Sequence, residues 1–598
     1  MINHTITHYF IHKKLQHPLT LLLILSILVW LLATCSTEEQ PAVQTVKEEA
    51  VRETINQEQT VQIEPKKPDL TEEIQKNIRA AIEQMTQAGK LKIGDVWIAA
   101  ISILSEFYER RQFKPAWTAT DKIDDLMSAI NDIEMDGLIP DDYHFRQLRE
   151  MSQKIELQSP PEPQLLAYRD LLLTDALVLM GYHLNYGKVD PGNLDPNWNM
   201  SAQMNHRDPA TLIQEAIDSG SFYEFLSDLK PRDEFYNQLK VILAQYQNIK
   251  NEGGWQPIPA GQALKKGVKD DRVTLLRNRL LATGDLAGTA SMLSAIFDDD
   301  LEKAVMHFQL RYGLESDGIA GKNTLAAMNV PVEMRIDQIR VNLERIRWVL
   351  HEDLDTFVFV NIPGFKVYYV QNEMLEWTSR AQVGKLFRQT PVFKADMTYL
   401  EFNPTWTIPP TILAKDILPA VRKDPGYLQK RDIRVIDSDG KVVNPKSINW
   451  SKYTGENFPY QLRQDPGPNN ALGQVKFMFP NKHMVYLHDT PNKNLFDRES
   501  RAFSSGCVRI ENPFEFAQLL LGKEWNANRI DKVIESKKTT AVKLANPVPV
   551  ILFYLTALPE FDGKFHFRDD VYSRDEAVLE DLNAAFKPAD RLVRQSDE

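Results

Sequence analysis

The chain has 598 residues, 43% of them apolar and 25% charged, with a formal net charge of −12. That length exceeds what one hydrophobic core fills, so several domains are expected, and the composition excludes collagen-like or wholly disordered chains. The acidic balance argues against non-specific nucleic-acid binding, which runs on an excess of Lys and Arg.

Residues 1–35 read as a targeting segment. Lys13 and Lys14 precede an apolar run from Leu19 to Ala33, broken only by Thr20 and Ser26. A positive flank before an apolar core is the pattern of an export signal. Leu32-Ala33-Thr34-Cys35 resembles the lipobox of bacterial lipoproteins, which would make Cys35 the lipidated residue; Thr34 stands where that pattern has Gly, Ala or Ser. An uncleaved membrane anchor is the other reading. Either one puts the body outside the cytoplasm, tethered to a membrane. Residues 36–69 lack any aromatic side chain and cannot bury enough apolar surface to fold, which predicts a disordered linker.

Residues 70–262 are predicted to be a helical scaffold. A helix is expected from Leu70 through Met85, another around Ile101, Leu104, Phe107 and Tyr108, and a strongly apolar one over Leu171–Leu184. No paired carboxylates or metal-ligand spacing stand out there, and His183 and His206 are read as structural or surface residues. Residues 268–330 form a different unit. Val273, Leu276 and Leu280 share a helix face; Phe297-Asp298 opens a second helix through Phe308-Gln309; then come Gly313-Leu314, Asp317-Gly318, Gly321 and Thr324. This pattern resembles the small three-helix peptidoglycan-binding domain of bacterial cell-wall enzymes, its glycines permitting positive φ in turns between helices. Residues 331–354 are a linking helix.

From Phe357 the hydrophobic period changes. Phe357–Ile362 and Phe365–Val370 read as a hairpin around Pro363-Gly364, followed by β-like runs at Thr378–Val383, Met397–Phe402, Val475–Phe479, Lys482–Leu487 and Cys507–Ile510. Residues 412–468 interrupt them with a helical piece at Ile412–Lys423 and the turn-rich Asp465-Pro466-Gly467-Pro468. The fold class expected is multidomain α+β: helical scaffold, small three-helix domain, and a mainly β domain over 355–555 with a helical and loop insertion. Residues 556–598 are read as a docked surface extension without chemistry, His566, Asp569 and Asp570 included.

The chemistry gathers at two short stretches. Tyr486-Leu487-His488-Asp489 ends one β-like run, and Ser504-Ser505-Gly506-Cys507-Val508-Arg509 follows, with Cys507 nineteen residues after His488. Period-2 alternation puts Tyr486 and His488 on one strand face. The chain has two cysteines, and with Cys35 in or beside the membrane Cys507 has no partner; a lone thiol in an exported body points to chemistry rather than a crosslink. Cys507 is therefore the candidate nucleophile and His488 its general base and acid. A neighbouring imidazolium lowers a thiol's pKa, ordinarily ~8.5, by several units. Backbone N–H groups around Gly506 and Cys507 are candidate oxyanion donors. Asn512-Pro513-Phe514-Glu515 has the marks of a helix start, with Asn as N-cap and Glu at the third position.

At these residues the chain resembles the bacterial L,D-transpeptidases, cysteine acyltransferases of peptidoglycan. His488-Asp489-Thr490 and Ser504-Ser505-Gly506-Cys507-Val508-Arg509 carry the likeness, with Gly384, Arg388-Gln389-Thr390-Pro391, Asn403-Pro404-Thr405-Trp406 and Ala471-Leu472-Gly473. Short members have Gly where Asp489 stands and His where Ser505 stands. The resemblance is to the large membrane-tethered members with a peptidoglycan-binding domain, in which the insertion is a lid. It implies attack of Cys507 on the carbonyl before the terminal D-Ala of a tetrapeptide stem, then transfer to the side-chain amine of a neighbouring stem, forming a 3→3 cross-link. Hydrolysis or D-amino-acid exchange through the same acyl-enzyme is the alternative, and a non-catalytic wall-binding lipoprotein a third. Arg509 orders the loop or receives a carboxylate; Ser505 belongs to the loop; Tyr486, Trp406, Asn403 and Asp489 are substrate-binding candidates. No cofactor or metal is expected. The expected partners are peptidoglycan stem peptides and glycan, a membrane and cell-wall synthesis proteins, on the periplasmic side of a bacterial membrane.

Overall fold

The computed structural model describes residues 69–195, 199–200, 207–232, 234–288, 294–349, 354–561 and 563–586. The targeting segment with Cys35, the linker before Asp69, and His206 lie outside the described residues. No helix among the described residues is long and apolar enough to cross a membrane.

The helical scaffold begins at Leu70–Ala88, whose first turn is capped by the Asp69 carboxylate accepting from Thr71 N at 3.2 Å. Its centre is Pro163–Tyr186, longer than its apolar run suggests and buried on almost every side. Two carboxylates on that helix are used up internally. Asp170 accepts from Ala116 N, Trp117 N and Tyr108 Oη, and Asp175 from Ala99 N and Ala100 N. Buried and satisfied, they stitch loops to the helix. His183 is likewise structural, its Nδ1 3.0 Å from the Tyr143 hydroxyl.

The small domain has helices at Arg272–Ala282, Asp299–Arg311 and Lys322–Met328. Gln309 explains part of its pattern: Nε2 donates to Asp317 Oδ1 at 2.8 Å and to Ile319 O at 3.0 Å, tying the Asp317-Gly318 turn to the second helix. Gly313 and Gly318 take φ of 70° and 73°, whereas Gly321 is extended, so only the first two need glycine's freedom. The helix Val332–Arg347 then leads into the β domain.

Nine strands build that domain: β1 (Phe357–Asn361), β2 (Lys366–Gln371), β3 (Met374–Gly384), β4 (Phe393–Phe402), β5 (Val475–Met478), β6 (Leu487–His488), β7 (Ala502–Ser504), β8 (Val508–Ile510) and β9 (Thr540–Phe553). They run in the order β7-β3-β8-β6-β5-β4-β9-β1-β2, and β2 also pairs with β3, so the sheet closes on itself. β1 and β2 form the expected hairpin, with Asn361 opposite Lys366. β9 was not expected. Pro547 and Pro549 make its sequence read as a break, yet Pro547 falls in the register shift between Lys543 and Val548, Pro549 stands opposite Asp396 just before pairing with β1 begins at Val550, and the strand sits between β4 and β1. The run at Lys482–Leu487 shrinks to two strand residues because Met484 turns the chain at a φ of 54°.

The insertion is more than a helical piece. Trp406–Thr407, Ile433–Ile436, Val442–Val443 and Gln461–Gln464 form a separate four-stranded sheet packed on its own core of Leu413, Ile417, Leu418, Val421, Val435 and Leu462. The tail also differs from expectation. Its hairpin, Ala557–Pro559 with Phe565–Phe567, is buried in the main core, Arg311 Nη1 donates to Phe565 O at 2.9 Å, and Lys188 Nζ donates to Leu582 O at 2.7 Å. It is interior packing between domains rather than a surface extension.

Candidate active site

β6 lies between β8, which it meets in parallel, and β5, antiparallel. The ladder sets Arg509 opposite both His488 and Gln382, and Lys476 opposite both His488 and Glu401. Residues opposite one another share a sheet face, so Gln382, Arg509, His488, Lys476 and Glu401 make one polar row across five strands. One pleat back along β6 and β8 stand Tyr486 and Cys507, held abreast by Val508 N donating to Tyr486 O at 3.2 Å. Thiol, phenol, imidazole and guanidinium therefore face the same way.

The His488 imidazole is buried and its tautomer is fixed locally. Nδ1 donates to the Asp489 carbonyl at 2.5 Å, and the Leu472 carbonyl also lies against the ring. The other nitrogen, Nε2, keeps its lone pair. Burial first, and then the positive Arg509 and Lys476 on either side, push the imidazole down to about 3. The Cys507 thiol is pushed up by burial, against the lowering effect of the Tyr486 main chain, Arg509 and the Tyr486 hydroxyl. Burial thus works against the thiolate–imidazolium pair expected from the neighbouring residue types and favours the neutral form of each group.

The Cys507 turn is pinned from three sides. Ser504 Oγ donates to Cys507 O at 2.5 Å and accepts from Gly506 N at 3.0 Å. Thr390 Oγ1 donates to Gly506 O at 2.8 Å and accepts from Gly384 N at 2.9 Å. The Tyr572 hydroxyl, from the tail, donates to Gly384 O at 2.6 Å and accepts from Thr390 N at 3.2 Å. Gly506 sits at a φ of 121°, which an L side chain rarely adopts. The sulfur's hydrogen-bond partner at longer range is Met484 O, 3.8 Å away.

The remaining predicted residues divide. Tyr486 stands over the site, its hydroxyl within hydrogen-bonding reach of Cys507 and its ring 5.6 Å from the imidazole, edge to face. Arg509 donates from Nη1 to Gln382 at 3.2 Å, while its buried Nε has no hydrogen-bond partner among the described residues. Ser505 is exposed and accepts from Arg388 Nη1 at 2.9 Å; Arg388 also pairs with Asp416 of the insertion at 2.6 Å, linking insertion to loop. Asp489 contributes its carbonyl to His488, while its carboxylate accepts from Gln474 N at 2.9 Å and pairs with Lys493 at 2.7 Å. Asn403 is not at the substrate face: its buried amide donates to Val533 O at 2.7 Å and Ile534 O at 3.2 Å, closing a helix end. Trp406 packs on the insertion core. Asn512 makes no side-chain cap, and Glu515 instead accepts from Trp377 Nε1 at 3.1 Å.

Sequence reasoning missed Lys476, Glu401 and Gln382, and quoted Thr390 in the family likeness without giving it a role. Lys476 and Glu401 form an ion pair of 3.0 Å, with the ammonium 5.8 Å from the Tyr486 ring. A lysine alternating with Val475 and Phe477 was a usable signal for a charge on one strand face. Its neighbour across the sheet could not be read without register. Among the described residues no group of three or more His, Cys, Asp or Glu could hold a metal ion.

Known proteins bear on this arrangement. Residues 355–548 match the L,D-transpeptidase catalytic domain family (YkuD), residues 269–328 a family described as "Putative peptidoglycan binding domain", and residues 102–243 a scaffold domain. Over 248 residues the chain is 38% identical to a curated Haemophilus influenzae protein named "Putative L,D-transpeptidase", covering 41% of this chain and 50% of that protein. The chain thus spans about half the length of the curated relative it matches. An L,D-transpeptidase structure from Xylanimonas cellulosilytica is 13% identical, covering 49% of this chain and 99% of that one, with a TM-score of 0.17. One from Stackebrandtia nassauensis is 14% identical, covering 50% and 97%, with a TM-score of 0.20. At such low scores neither likeness bears on the fold.

Proposed function

We propose that this chain, whose residues 355–548 belong to the L,D-transpeptidase catalytic-domain family, joins peptidoglycan stems through a Cys507 thioester. The observation that supports it is the shared face of Cys507, Tyr486 and His488, with His488 Nδ1 committed to a carbonyl so that Nε2 is the basic atom. The sulfur attacks the carbonyl between the third residue of a tetrapeptide stem and its terminal D-Ala, while the imidazole takes the thiol proton. The tetrahedral oxyanion forms beside the Gly506–Cys507 backbone. As it collapses, the imidazolium returns the proton to the departing D-Ala amine, leaving a thioester. The side-chain amine of a neighbouring stem then attacks, His488 takes its proton, and the thiolate leaves and is reprotonated. The product is a 3→3 cross-link.

A neutral resting pair suits this order, since the proton moves as the S–C bond forms and no buried ion pair is held beforehand. A peptidoglycan substrate supports the reading of a body outside the cytoplasm, on the periplasmic side of a membrane, tethered through lipidated Cys35 or an N-terminal anchor and working beside wall-synthesis proteins. Incubating the purified protein with a disaccharide-tetrapeptide and weighing the products tests the reading. A dimer lacking one D-Ala is expected. Tripeptide without dimer would make water the acceptor, and unchanged substrate would sink the proposal. Cys507→Ala should abolish the acyl-enzyme while wall binding persists.

A further inference from the structure

The insertion has a concavity of its own. A cavity of about 660 Å³ is lined by insertion residues between 425 and 446, by residues 464–470 at the insertion's end and by Lys537, which follows the Ala527–Glu535 helix. The mechanism above uses none of its residues.

Its charges fall into two groups. Arg434 is satisfied by Asp465, which Arg463 also approaches at 3.8 Å. Lys446, Lys537 and Asp432 line the same cavity, and their side chains have no hydrogen bond or ion pair among the described residues. Asp432 is held there at a φ of 55°, a conformation a non-glycine residue adopts at a cost. Two uncommitted ammonium groups and one uncommitted carboxylate complement a ligand with more carboxylates than amines. Asn444, Gln464 and Asn470 bring amide side chains to the walls, but they are spent on the chain itself: Asn470 Nδ2 donates to Asp465 O at 2.9 Å, and Gln464 Oε1 accepts from Ala471 N at 2.8 Å. They shape the cavity, and the charges do the recognising.

A short stretch of chain joins the cavity wall to the base. Asn470, in its wall, is two residues before Leu472, whose carbonyl lies against the His488 ring. Chain geometry keeps those two Cα atoms within about 7 Å, while an extended tetrapeptide reaches roughly 13 Å. In the proposed reaction the donor stem occupies the Cys507 face, and the second stem must be held elsewhere while its amine delivers a proton to His488. A stem peptide carries several carboxylates and one side-chain amine, the complement of Lys446, Lys537 and Asp432.

We propose that this cavity is the acceptor subsite, binding the carboxylate-bearing stem peptide of the neighbouring strand. The proposal rests on the transpeptidase reading and is tested separately from it. The double variant Lys446→Gln, Lys537→Gln is compared with Lys446→Arg, Lys537→Arg in the full chain, using a disaccharide-tetrapeptide as donor and acceptor. The Gln pair should raise the acceptor concentration for half-maximal dimer formation about fivefold, leave the first-turnover release of D-Ala on acylation within twofold, and the Arg pair should restore wild-type behaviour. Unchanged acceptor dependence in the Gln pair overturns the proposal. Binding of free tetrapeptide and of peptide-free glycan to Cys507→Ala protein, with and without the Gln pair, is the second arm. Peptide binding lost in the Gln pair supports the subsite even if the wild type makes no dimer; equal loss of peptide-free glycan binding, or no loss at all, overturns it. Failure of the wild type to release D-Ala would refute the transpeptidase reading alone.

Discussion

The Cys507 face and the insertion cavity handle charge in opposite ways. On the closed sheet Arg509, His488, Lys476 and Glu401 stand in a fixed ladder row, and the imidazole is buried between two cations. In the cavity Lys446 and Lys537 are exposed and uncommitted. Desolvated charge in a rigid frame tunes protonation, whereas solvated charge on flexible stems supplies graded attraction. Single substitutions should therefore act sharply on the first region and mildly on the second.

The largest effect is expected at the reacting groups. Cys507→Ala should remove acyl-enzyme from the intact-mass spectrum altogether, and His488→Gln should lower kcat/KM by roughly 10²–10⁴-fold, the usual contribution of a general base. Acylation of His488→Gln at near wild-type rate would show that the ladder row does not supply the base.

The pH profile separates the two regions further. His488 must be neutral to accept a proton, and burial holds it at about 3 rather than 6.5. Activity should then persist as pH falls through 6.5, with the acid limb of kcat/KM well below it; a limb centred near 6.5 would contradict the buried neutral pair. The sign for stability follows from linkage. The unfolded chain binds the His488 proton between about 3 and 6.5 and the folded chain does not, so this contribution to stability is whole above 6.5 and is lost as pH falls toward 3. His488→Gln should flatten that part of a Tm-against-pH curve.

A smaller effect is expected behind the loop. Thr390→Val removes the hydroxyl bonded to Gly506 O and Gly384 N, leaving two buried backbone groups unpaired. The loss should be about 1–3 kcal/mol by denaturant unfolding, with kcat falling more than KM rises. An unchanged midpoint would mean the turn is held by Ser504 alone. The smallest effect belongs to the insertion link. Arg388→Ala breaks the contacts to Asp416 and Ser505, and because Asp416 is solvent-exposed the change in stability should stay below about 1 kcal/mol.

Much of this architecture is legible in local sequence. The Phe357–Val370 hairpin and the helix faces of the small domain follow from patterns a few residues long. Elsewhere local rules mislead. Prolines hide β9, which is a strand because β4 and β1 flank it: Pro547 falls in a register shift and Pro549 precedes the pairing with β1. Asn403 sits in a motif stretch and still turns its amide to a helix end more than a hundred residues away. The tail looked peripheral, yet Tyr572 braces the turn on which Cys507 stands.

The sequence by itself determined the candidate nucleophile and base, their place beside a glycine turn, and the kinds of domain that carry them, because those depend on residue type and short spacing. Only the tertiary structure decided what surrounds them. The Lys476 and Arg509 flanks, the carbonyl that fixes the His488 tautomer, the neutral resting pair and the cavity beside Leu472 all depend on strand register and burial, which bring distant residues together and exclude water from between them.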